Sequence, residues 1–506
     1  MGVGSPPAVD SAPAPSFRPL QAIVALGGIQ ALTMLAGLAR TKVLAVLLGP
    51  AGVGVASVVD QVVSLVAQLG SLSIPFVALK FLSRTRDERL DETRRVYNAL
   101  VLLLVLASVA SAAIATAIAI LWPSAFGEGL TPYRSALIVA LIGVPPFALA
   151  PLLRNAMAAL ERHRESALAA FFTAVLTVGG AAIGVMTGGL VGLYVANAIV
   201  LVLTIAGMQW YLGRSVGLGL SSNTSASTAA VALRSQQGLT SFAGSMYVLA
   251  LTSPLAYLFA RSMLLSTHGA IEAGLVAAAY GIGVSIRLVL NQANGLYLTP
   301  LVNRNTPKDE RIAAVAEYLR ILVVLVVLST LVCVLFPAQW IALLYSSKFG
   351  GAVSLVAVFV LAEAVLLVAG VFQALLIGFD DISGFLACTV AGQLLTIALT
   401  RWLVAADGGM GVGIAFLAGN GVILMATGVR LLSRHSATRV VAPVALLVIA
   451  LGATTAAGWW ATRAPAPLWR AAVYLGACGV ALAFLRPDER RWMIRPWRAP
   501  ASARAQ

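Results

Sequence analysis

The chain has 506 residues, of which 60% are hydrophobic and only 10% are charged. Soluble domains average about 45–50% apolar and about 25% charged residues, so this composition excludes a water-soluble protein and predicts one surrounded by lipid. The net charge of +15 could indicate a nucleic-acid-binding protein. We exclude nucleic acid as a partner because the basic residues lie mainly in short loops between apolar segments, as membrane topology requires.

Enzyme motifs and metal-binding patterns are missing from the sequence. Its three cysteines all fall inside apolar stretches, and with three histidines in the whole chain no metal-ligand spacing is found. The sequence contains no G-x-x-x-x-G-K-[ST] phosphate loop, no nucleophile elbow and no H-E-x-x-H motif. We therefore predict a protein that is not an enzyme and that uses no metal or cofactor.

The chain begins with a lead, residues 1–18, which is rich in Pro, Ala, Ser and Gly and is predicted to be disordered. About fourteen apolar segments follow, each of roughly 20–30 residues and so long enough to cross a hydrocarbon core of about 30 Å. The predicted spans cover residues 20–48, 53–83, 97–121, 133–157, 166–187, 189–212, 236–264, 271–300, 313–336, 350–378, 383–404, 409–432, 439–459 and 466–486. The pattern predicts an all-α polytopic membrane protein.

Two parts of the sequence resemble each other. Gly52-Val-Gly-Val-Ala and Gly274-Leu-Val-Ala-Ala each precede a long apolar run. An Asp-Glu-Arg triplet follows each run, beginning at Asp87 and at Asp309. The two triplets are as far apart along the chain as Gly52 and Gly274. We predict two six-helix halves, at 19–212 and 236–432, joined by a cytoplasmic linker at 213–235. Two additional helices at 433–486 and a basic tail at 487–506 follow them. Repeated halves are common in secondary transporters, whose substrate site lies between them near the bilayer midplane.

Basic residues mark every second loop, which predicts the orientation of the chain. One set of loops contains Arg84, Arg86, Arg89, Arg94, Arg95, Arg162, Arg164, Arg214, Arg234, Arg304, Lys308, Arg311, Arg430, Arg434 and Arg439. The alternate loops contain only Arg134, Lys348, Arg463 and Arg470. Because basic loops remain on the cytoplasmic side, both termini are predicted to be cytoplasmic. An acidic loop at Asp380-Asp381 is the exception to the pattern.

Several polar residues fall inside the predicted spans, where an ionisable group costs at least about 2.5–3.5 kcal/mol on insertion scales. Arg287, Asn291 and Asn294 share one helix face in span eight. We interpret this stripe as the wall of a water-filled cavity, with hydrogen bonding between helices as the alternative. Arg40 and Lys42 lie late in span one and are further candidates for the same cavity.

The remaining candidates have weaker patterns. Asp60 and Gln68 lie on a second polar stripe in span two, and Glu363 is a single acid in span ten. Either acid could couple transport to an ion or pair with a cavity cation. Arg154 and Asn155 lie near the cytoplasmic end of span four, where Arg154 could also extend to the membrane surface. Two more arginines, Arg261 and Arg320, lie near predicted span ends and receive little weight. The balance is positive, which suits a phosphate-bearing cargo.

Three stretches resemble a known family. Leu38 to Gly54 resembles the first-span signature of the multidrug/oligosaccharidyl-lipid/polysaccharide (MOP) exporter superfamily, and Gly70 to Arg84 resembles its second span. Ala156 to Arg164 is similar to its cytoplasmic turn after span four. Within the superfamily, the chain is most similar to polysaccharide and O-antigen flippases of the Wzx type. The position of Arg40 is also similar to that of a cavity arginine in lipid II flippases.

The resemblance implies a V-shaped bundle with a cavity between its halves and alternating access. It implies an undecaprenyl-pyrophosphate-linked oligosaccharide as cargo, moved between the leaflets of a bacterial inner membrane, with membrane lipids, a polysaccharide polymerase and a chain-length regulator as partners. The alternatives are a proton- or sodium-coupled multidrug exporter of the same superfamily, a lipid II flippase, and a scaffold that recruits glycosyltransferases without transporting anything.

Overall fold

The computed structural model describes residues 18–85, 90–218, 239–294, 298–302 and 307–440, together with a few short pieces beyond them. All regular structure in this part of the chain is helical. Its α-helices are α1 (Arg18–Ser71), α2 (Ile74–Thr85), α3 (Leu90–Leu121), α4 (Arg134–Ile142), α5 (Val144–Ala159), α6 (His163–Val216), α7 (Leu239–Ala293), α8 (Thr299–Val302), α9 (Lys308–Leu335), α10 (Pro337–Leu344), α11 (Val353–Gly378) and α12 (Ile382–His435). Short 3₁₀ segments precede α4 and α11.

Eight segments of the described chain are long and apolar enough to cross a membrane. Four of them, α1, α6, α7 and α12, contain a glycine with non-helical backbone angles that divides the helix into two arms. Counting arms, the described residues provide twelve crossings, and the all-α multi-pass prediction is confirmed. Most of the two additional spans, the lead before residue 18, most of the linker and the tail lie outside the described residues.

The glycine breaks differ from the loops that hydropathy predicts. Gly49, Gly189, Gly269 and Gly408 have φ angles of 66°, 57°, 83° and 52°, in the left-handed region that glycine adopts without a steric penalty. In α12 the two arms then pack directly on each other, because a Cβ added to Gly411 would collide with the carbonyl oxygen of Leu403. The chain therefore turns back at a single glycine where a loop of several residues was expected between the predicted spans.

The same backbone features recur in the second half. Gly49 and Gly269 share extended ψ angles of −176° and 179°. We treat a residue of the first half and a residue of the second half as equivalent when they are as far apart along the chain as Gly49 and Gly269. Gly189 and Gly408 are one position closer to each other and have ψ angles of −134° and −127°. The turns before α6 and α12 also correspond, since Glu161 and Asp380 both have a φ of 58°. These matches show that the two halves have the same fold.

The halves meet at the end of the bundle that contains these breaks, which we call the glycine end. A Cβ at Gly54 would collide with the carbonyl oxygen of Ala270, and a Cβ at Gly274 would collide with that of Pro50. The structure pairs Gly274 with Gly54, and not with Gly52 as the sequence match suggested, and it pairs Ala270 with Pro50. Each half therefore presents the same patch to the other, as in the isologous interface of a symmetric dimer.

Two polar contacts follow the same symmetry at the glycine end. The ammonium group of Lys42 donates to the carbonyl oxygens of Ala342 and Leu343 at 2.6 and 3.0 Å. Ser262, the equivalent of Lys42 in the second half, donates its hydroxyl to the carbonyl oxygen of Phe126 at 2.8 Å. Each bond joins one half to the short helical segments that follow the third span of the other half. The glycine end is therefore closed in this structure.

The opposite end contains the basic loops and is called the basic end. The acidic loop at this end, which is the exception among its basic loops, is explained by a local ion pair. Arg430 donates to both carboxylate oxygens of Asp381 at 2.6 and 2.7 Å. These bonds hold the pKa of Asp381 well below its usual range. The same carboxylate also accepts the backbone N–H of Gly384 and so caps the start of α12. Asp381 is therefore a structural group that does not disturb the basic pattern.

We expect Gly274→Ala to destabilise the protein by about 1–3 kcal/mol, because the added methyl group must displace the backbone at Pro50. Gly421→Ala is the matched control. Gly421 lies within α12, and a Cβ there would meet no described atom within 4 Å. Thermal unfolding of the purified protein in detergent would compare the two variants. Equal unfolding temperatures for both would show that the close packing of the halves is not needed.

Candidate functional site

A cavity of about 330 Å³ lies inside the first half, between α1, α4, α5 and α6. Its polar wall includes Arg40 and Asp60 from the two arms of α1, and Thr177, Tyr194 and Asn197 from α6. The break at Gly49 turns α1 back on itself, and this turn brings Arg40 and Asp60 to one cavity although they lie on different arms. Two residues predicted for the site are thus brought together.

The charges of this cavity are only partly satisfied. The hydroxyl of Tyr194 lies 3.0 Å from Oδ1 of Asp60 and 3.1 Å from the carbonyl oxygen of Ala56. Because the hydroxyl has a single proton, it can donate a hydrogen bond to one of these two acceptors at a time. The Nε of Arg40 and the Oδ1 of Asn197 are buried and have no hydrogen-bond partner among the described residues. Buried polar atoms are usually paired. The cavity therefore has donors and acceptors available to a polar ligand.

The corresponding region of the second half is filled by an ion pair. Arg287 of α7 donates to Glu363 of α11, whose side chain is 1% exposed. Phe359 lies one turn before Glu363 and packs edge-to-face on Tyr280, so aromatic rings surround the pair. Gly143, which lines the first-half cavity, is the equivalent of Glu363. The second half thus has a carboxylate side chain where the first half has open space.

The stripe that follows Arg287 joins helices. Asn294 donates to the side-chain oxygen of Asn291 at 3.0 Å and accepts the hydroxyl of Tyr318 from α9 at 2.5 Å. Asn294 is also buried. These contacts favour the alternative reading of the stripe as hydrogen bonding between helices. A direct role for the two asparagines in binding cargo stays a prediction.

The other predicted site residues lie apart from the cavity of Arg40. Lys42 binds carbonyl oxygens of the second half at the glycine end. Asn155 donates to the carbonyl oxygen of Pro75 at 2.8 Å and so joins α5 to α2, while the neighbouring Arg154 is half-buried. Gln68 accepts the hydroxyl of Ser71 through its backbone oxygen at 3.0 Å. Cargo binding by these four residues is not tested by the structure and stays a prediction.

Sequence reasoning missed the cavity residues on α6 and one arginine between the halves. Tyr194 and Asn197 share a helix face at a spacing of three, a signal that the sequence does contain. The sequence predicts Arg261 near the end of a span, but α7 continues beyond it and breaks at Gly269. Its Nη1 donates to the carbonyl oxygen of Ser57 in the first half at 3.1 Å. Its guanidinium lies over the ring of Tyr280, at 4.9 Å from the ring centre.

No family model matches the chain. Over 385 residues it is 24% identical to the lipid III flippase of Escherichia coli (strain K12), and the match covers 76% of this chain and 91% of the relative. An inward-facing structure of a multidrug resistance MATE family transporter of the MOP superfamily superposes with a TM-score of 0.64 at 15% identity, over 80% of this chain and 95% of the other. The lipid II flippase MurJ in an inward closed conformation superposes with a TM-score of 0.61 at 12% identity, over 91% of this chain and 98% of the other. The fold of the MOP exporter superfamily is therefore confirmed.

We expect Arg287→Met alone to destabilise the protein by about 3–5 kcal/mol, because it leaves the buried carboxylate of Glu363 without its counter-charge. The double variant Arg287→Met/Glu363→Leu should recover most of this loss, since apolar replacement of a buried pair is often neutral or stabilising. Arg401→Met, at an exposed position of α12, is the control. If thermal unfolding shows Arg287→Met to be as stable as the native chain, the pair has no structural role.

Proposed function

We propose that the chain is a flippase that moves undecaprenyl-pyrophosphate-linked oligosaccharide repeat units from the cytoplasmic to the periplasmic leaflet of a bacterial inner membrane, for synthesis of a surface polysaccharide. The observation that carries the proposal is the guanidinium of Arg40, which lines the first-half cavity with its buried Nε unpaired among the described residues. The similarity to a lipid III flippase over 91% of that protein supports the same class of cargo. We expect a polysaccharide polymerase and a chain-length regulator to act on the released unit.

The charge inside the described spans favours an anion. Among the candidate residues singled out from the sequence, the two acids, Asp60 and Glu363, are outnumbered by basic side chains. The basic side chains are Arg40, Lys42, Arg154, Arg261 and Arg287. A charge inside a membrane protein is kept where it pairs, lines a water-filled path or binds a ligand. Arginine forms bidentate bonds to phosphate oxygens, which suits the pyrophosphate head of a lipid-linked oligosaccharide.

The closed glycine end supports a direction for the movement. With basic loops on the cytoplasmic side, the basic end and both termini face the cytoplasm and the glycine end faces the periplasm. In the proposed cycle, the pyrophosphate head enters from the inner leaflet while the prenyl tail stays in lipid beside the bundle. The halves then separate at the contact of Gly54 with Ala270 and of Gly274 with Pro50, which exposes the head to the other side.

A cation-coupled multidrug exporter is the second candidate, and one observation favours it. Asp60 is an exposed carboxylate in the first-half cavity, with Tyr194 as its partner, and could take a proton or a sodium ion. Arg40 in the same cavity opposes the binding of a cationic drug. A lipid II flippase remains a variant of the main proposal that differs in the sugars carried, and its cargo can be tested in the same assay.

We expect Arg40→Gln to lower the rate of flipping in proteoliposomes by about tenfold or more, because it removes a charge-assisted hydrogen bond to phosphate. The assay follows protection of an undecaprenyl-pyrophosphate-linked repeat unit from an external enzyme. Arg401→Gln removes an exposed arginine from the same fold and should flip at the native rate. Uptake of a cationic dye by the native protein, with no flipping of lipid-linked sugars, would instead establish the exporter.

The membrane potential should drive the step. A potential that is negative inside favours outward movement of an anion by about 2.3 kcal/mol per charge per 100 mV, so a dianionic head gains roughly twice that amount. We expect flipping to slow when the potential is collapsed with an ionophore at constant pH and sodium gradients. An unchanged rate would mean that the potential does not drive transport and would direct attention to a coupling ion at Asp60.

A further inference from the structure

We propose that a groove on the outside of the second half, at the basic end, binds a phospholipid with an anionic headgroup. One acyl chain of the lipid lies between the two arms of α12, and the phosphate contacts Arg434 and Arg430 where the groove reaches the membrane surface. The site is separate from the cavity of Arg40, and it does not depend on which cargo the protein moves.

The groove has a volume of about 570 Å³ and lies between the two arms of α12. Cys388 of the first arm and Ala426 of the second arm line it. Met425 and Val429 also line it, and they are 62% and 64% exposed. Large apolar side chains that are exposed on a membrane-spanning helix meet lipid tails, which are as apolar as they are. The groove therefore opens to the hydrocarbon region of the bilayer.

The length of the groove matches one leaflet. Its lining residues on the second arm run from Val422 to Arg434. At 1.5 Å per residue this is about 18 Å of helix. A hydrocarbon core is about 30 Å thick, so one leaflet accounts for about 15 Å of it. An acyl chain can thus fill the groove and gain the dispersion contacts that an empty groove lacks, with its headgroup at the Arg434 end.

The end of the groove near the membrane surface is basic. Arg430 and Arg434 both line the groove, and its described lining includes no acid. The charge of Arg430 is offset by its ion pair with Asp381. Arg434 is exposed and has no hydrogen-bond or ion-pair partner among the described residues. A guanidinium binds phosphate oxygens through charge-assisted bonds. The remaining positive charge favours a headgroup with net negative charge over a zwitterionic one, which contains a cation of its own.

The first half contains a groove at the same place with different charges. It has a volume of about 420 Å³ and lies between the arms of α6. Four of its lining positions match those of α12 at the separation of Gly189 and Gly408. The pairs are Ala169 with Cys388, Leu203 with Val422, Gly207 with Ala426, and Tyr211 with Arg430. Glu165 lines the first groove, and its described lining includes no Lys or Arg. The fold thus provides a groove in each half, and the one in α12 has the charges that suit an anionic lipid.

The surroundings of the α12 groove favour an occupant from the bilayer. None of the described residues beyond Val440 lines the groove. Two of them contact α9 instead. Tyr474 packs against Leu331 and Leu335, and Arg470 donates to the carbonyl oxygen of Leu335 at 3.4 Å. Basic sites between helices at the membrane surface commonly bind anionic lipid headgroups.

Native mass spectrometry of the full chain, released from delipidated detergent micelles, tests the proposal. Phosphatidylglycerol and phosphatidylcholine with the same acyl chains are titrated separately, and bound lipids are counted at each concentration. Arg434→Gln removes the unpaired charge, and Ala426→Phe fills the groove. The matched controls are Arg401→Gln, at an exposed position nearer the glycine end of α12, and Gly207→Phe, at the position of α6 that matches Ala426.

The native chain should bind one phosphatidylglycerol at least about fivefold more tightly than phosphatidylcholine, and Arg434→Gln should lose about fivefold in this preference, as expected for one basic charge near the membrane surface. Ala426→Phe should lose the bound lipid, and both controls should bind it as the native chain does. Equal affinities for the two lipids, a native-like preference in Arg434→Gln, or native-like binding in Ala426→Phe would each overturn the proposal. Arg434→Gln changes an exposed side chain and keeps the test valid if Ala426→Phe does not fold.

Location and other occupants are tested with two further probes. A phosphatidylglycerol with a diazirine in its acyl chain should crosslink to α12, and crosslinks confined to α6 would contradict the site. Undecaprenyl phosphate is the competitor. If it displaces phosphatidylglycerol from the native chain and fails to bind Ala426→Phe, the groove holds a prenyl chain and the phospholipid proposal fails. A dimer without bound lipid that Ala426→Phe converts to a monomer would show that a second copy of the chain covers the groove, which also overturns the proposal.

Discussion

The close contact of Gly54 with Ala270 and of Gly274 with Pro50 is the constraint on which the arrangement of the two halves depends. Any side chain at either glycine would collide with backbone of the other half, so the halves can approach only where both residues are small. In membranes, small residues commonly allow such approaches, because apolar burial provides no driving force between surfaces that are already in lipid. Polar bonds from Lys42 and Ser262 then determine the register of the contact.

Charges inside the bundle follow from the cost of placing them in lipid. Three embedded cations with described contacts each bind a carboxylate, a backbone carbonyl or an aromatic face. Arg287 binds a carboxylate, Lys42 binds backbone carbonyls, and Arg261 binds a backbone carbonyl and an aromatic face. Carbonyl oxygens and aromatic rings solvate a cation without taking its charge, so Lys42 and Arg261 differ in this respect from Arg287. The distinction between neutralised and merely solvated arginines separates structural groups from candidate binding groups.

The sequence predicts the helical class, the repeat and the two ends, because hydropathy, repeat spacing and loop charge all depend directly on residue types. It misses the single-residue turns at Gly49 and Gly408, because a hydropathy average over about 19 residues cannot resolve one glycine. The pairing of Arg287 with Glu363 depends on how α7 packs against α11, which no local pattern encodes. The bonds from Lys42 to the second half cannot be predicted from the sequence either, because their acceptors are backbone carbonyls, which every residue has.

The two halves share a fold but not an interior, and this difference bears on transport. In the second half, Glu363 occupies the position of Gly143, and Tyr280 occupies the position of Asp60. The second half therefore neutralises its own arginine within a packed aromatic cluster, while the first half leaves Arg40 in a cavity. A cavity in both halves would offer an anion two separate places to bind. With the interior of the second half filled, the open cavity with the unpaired Nε of Arg40 lies in the first half, where the proposed cargo would bind.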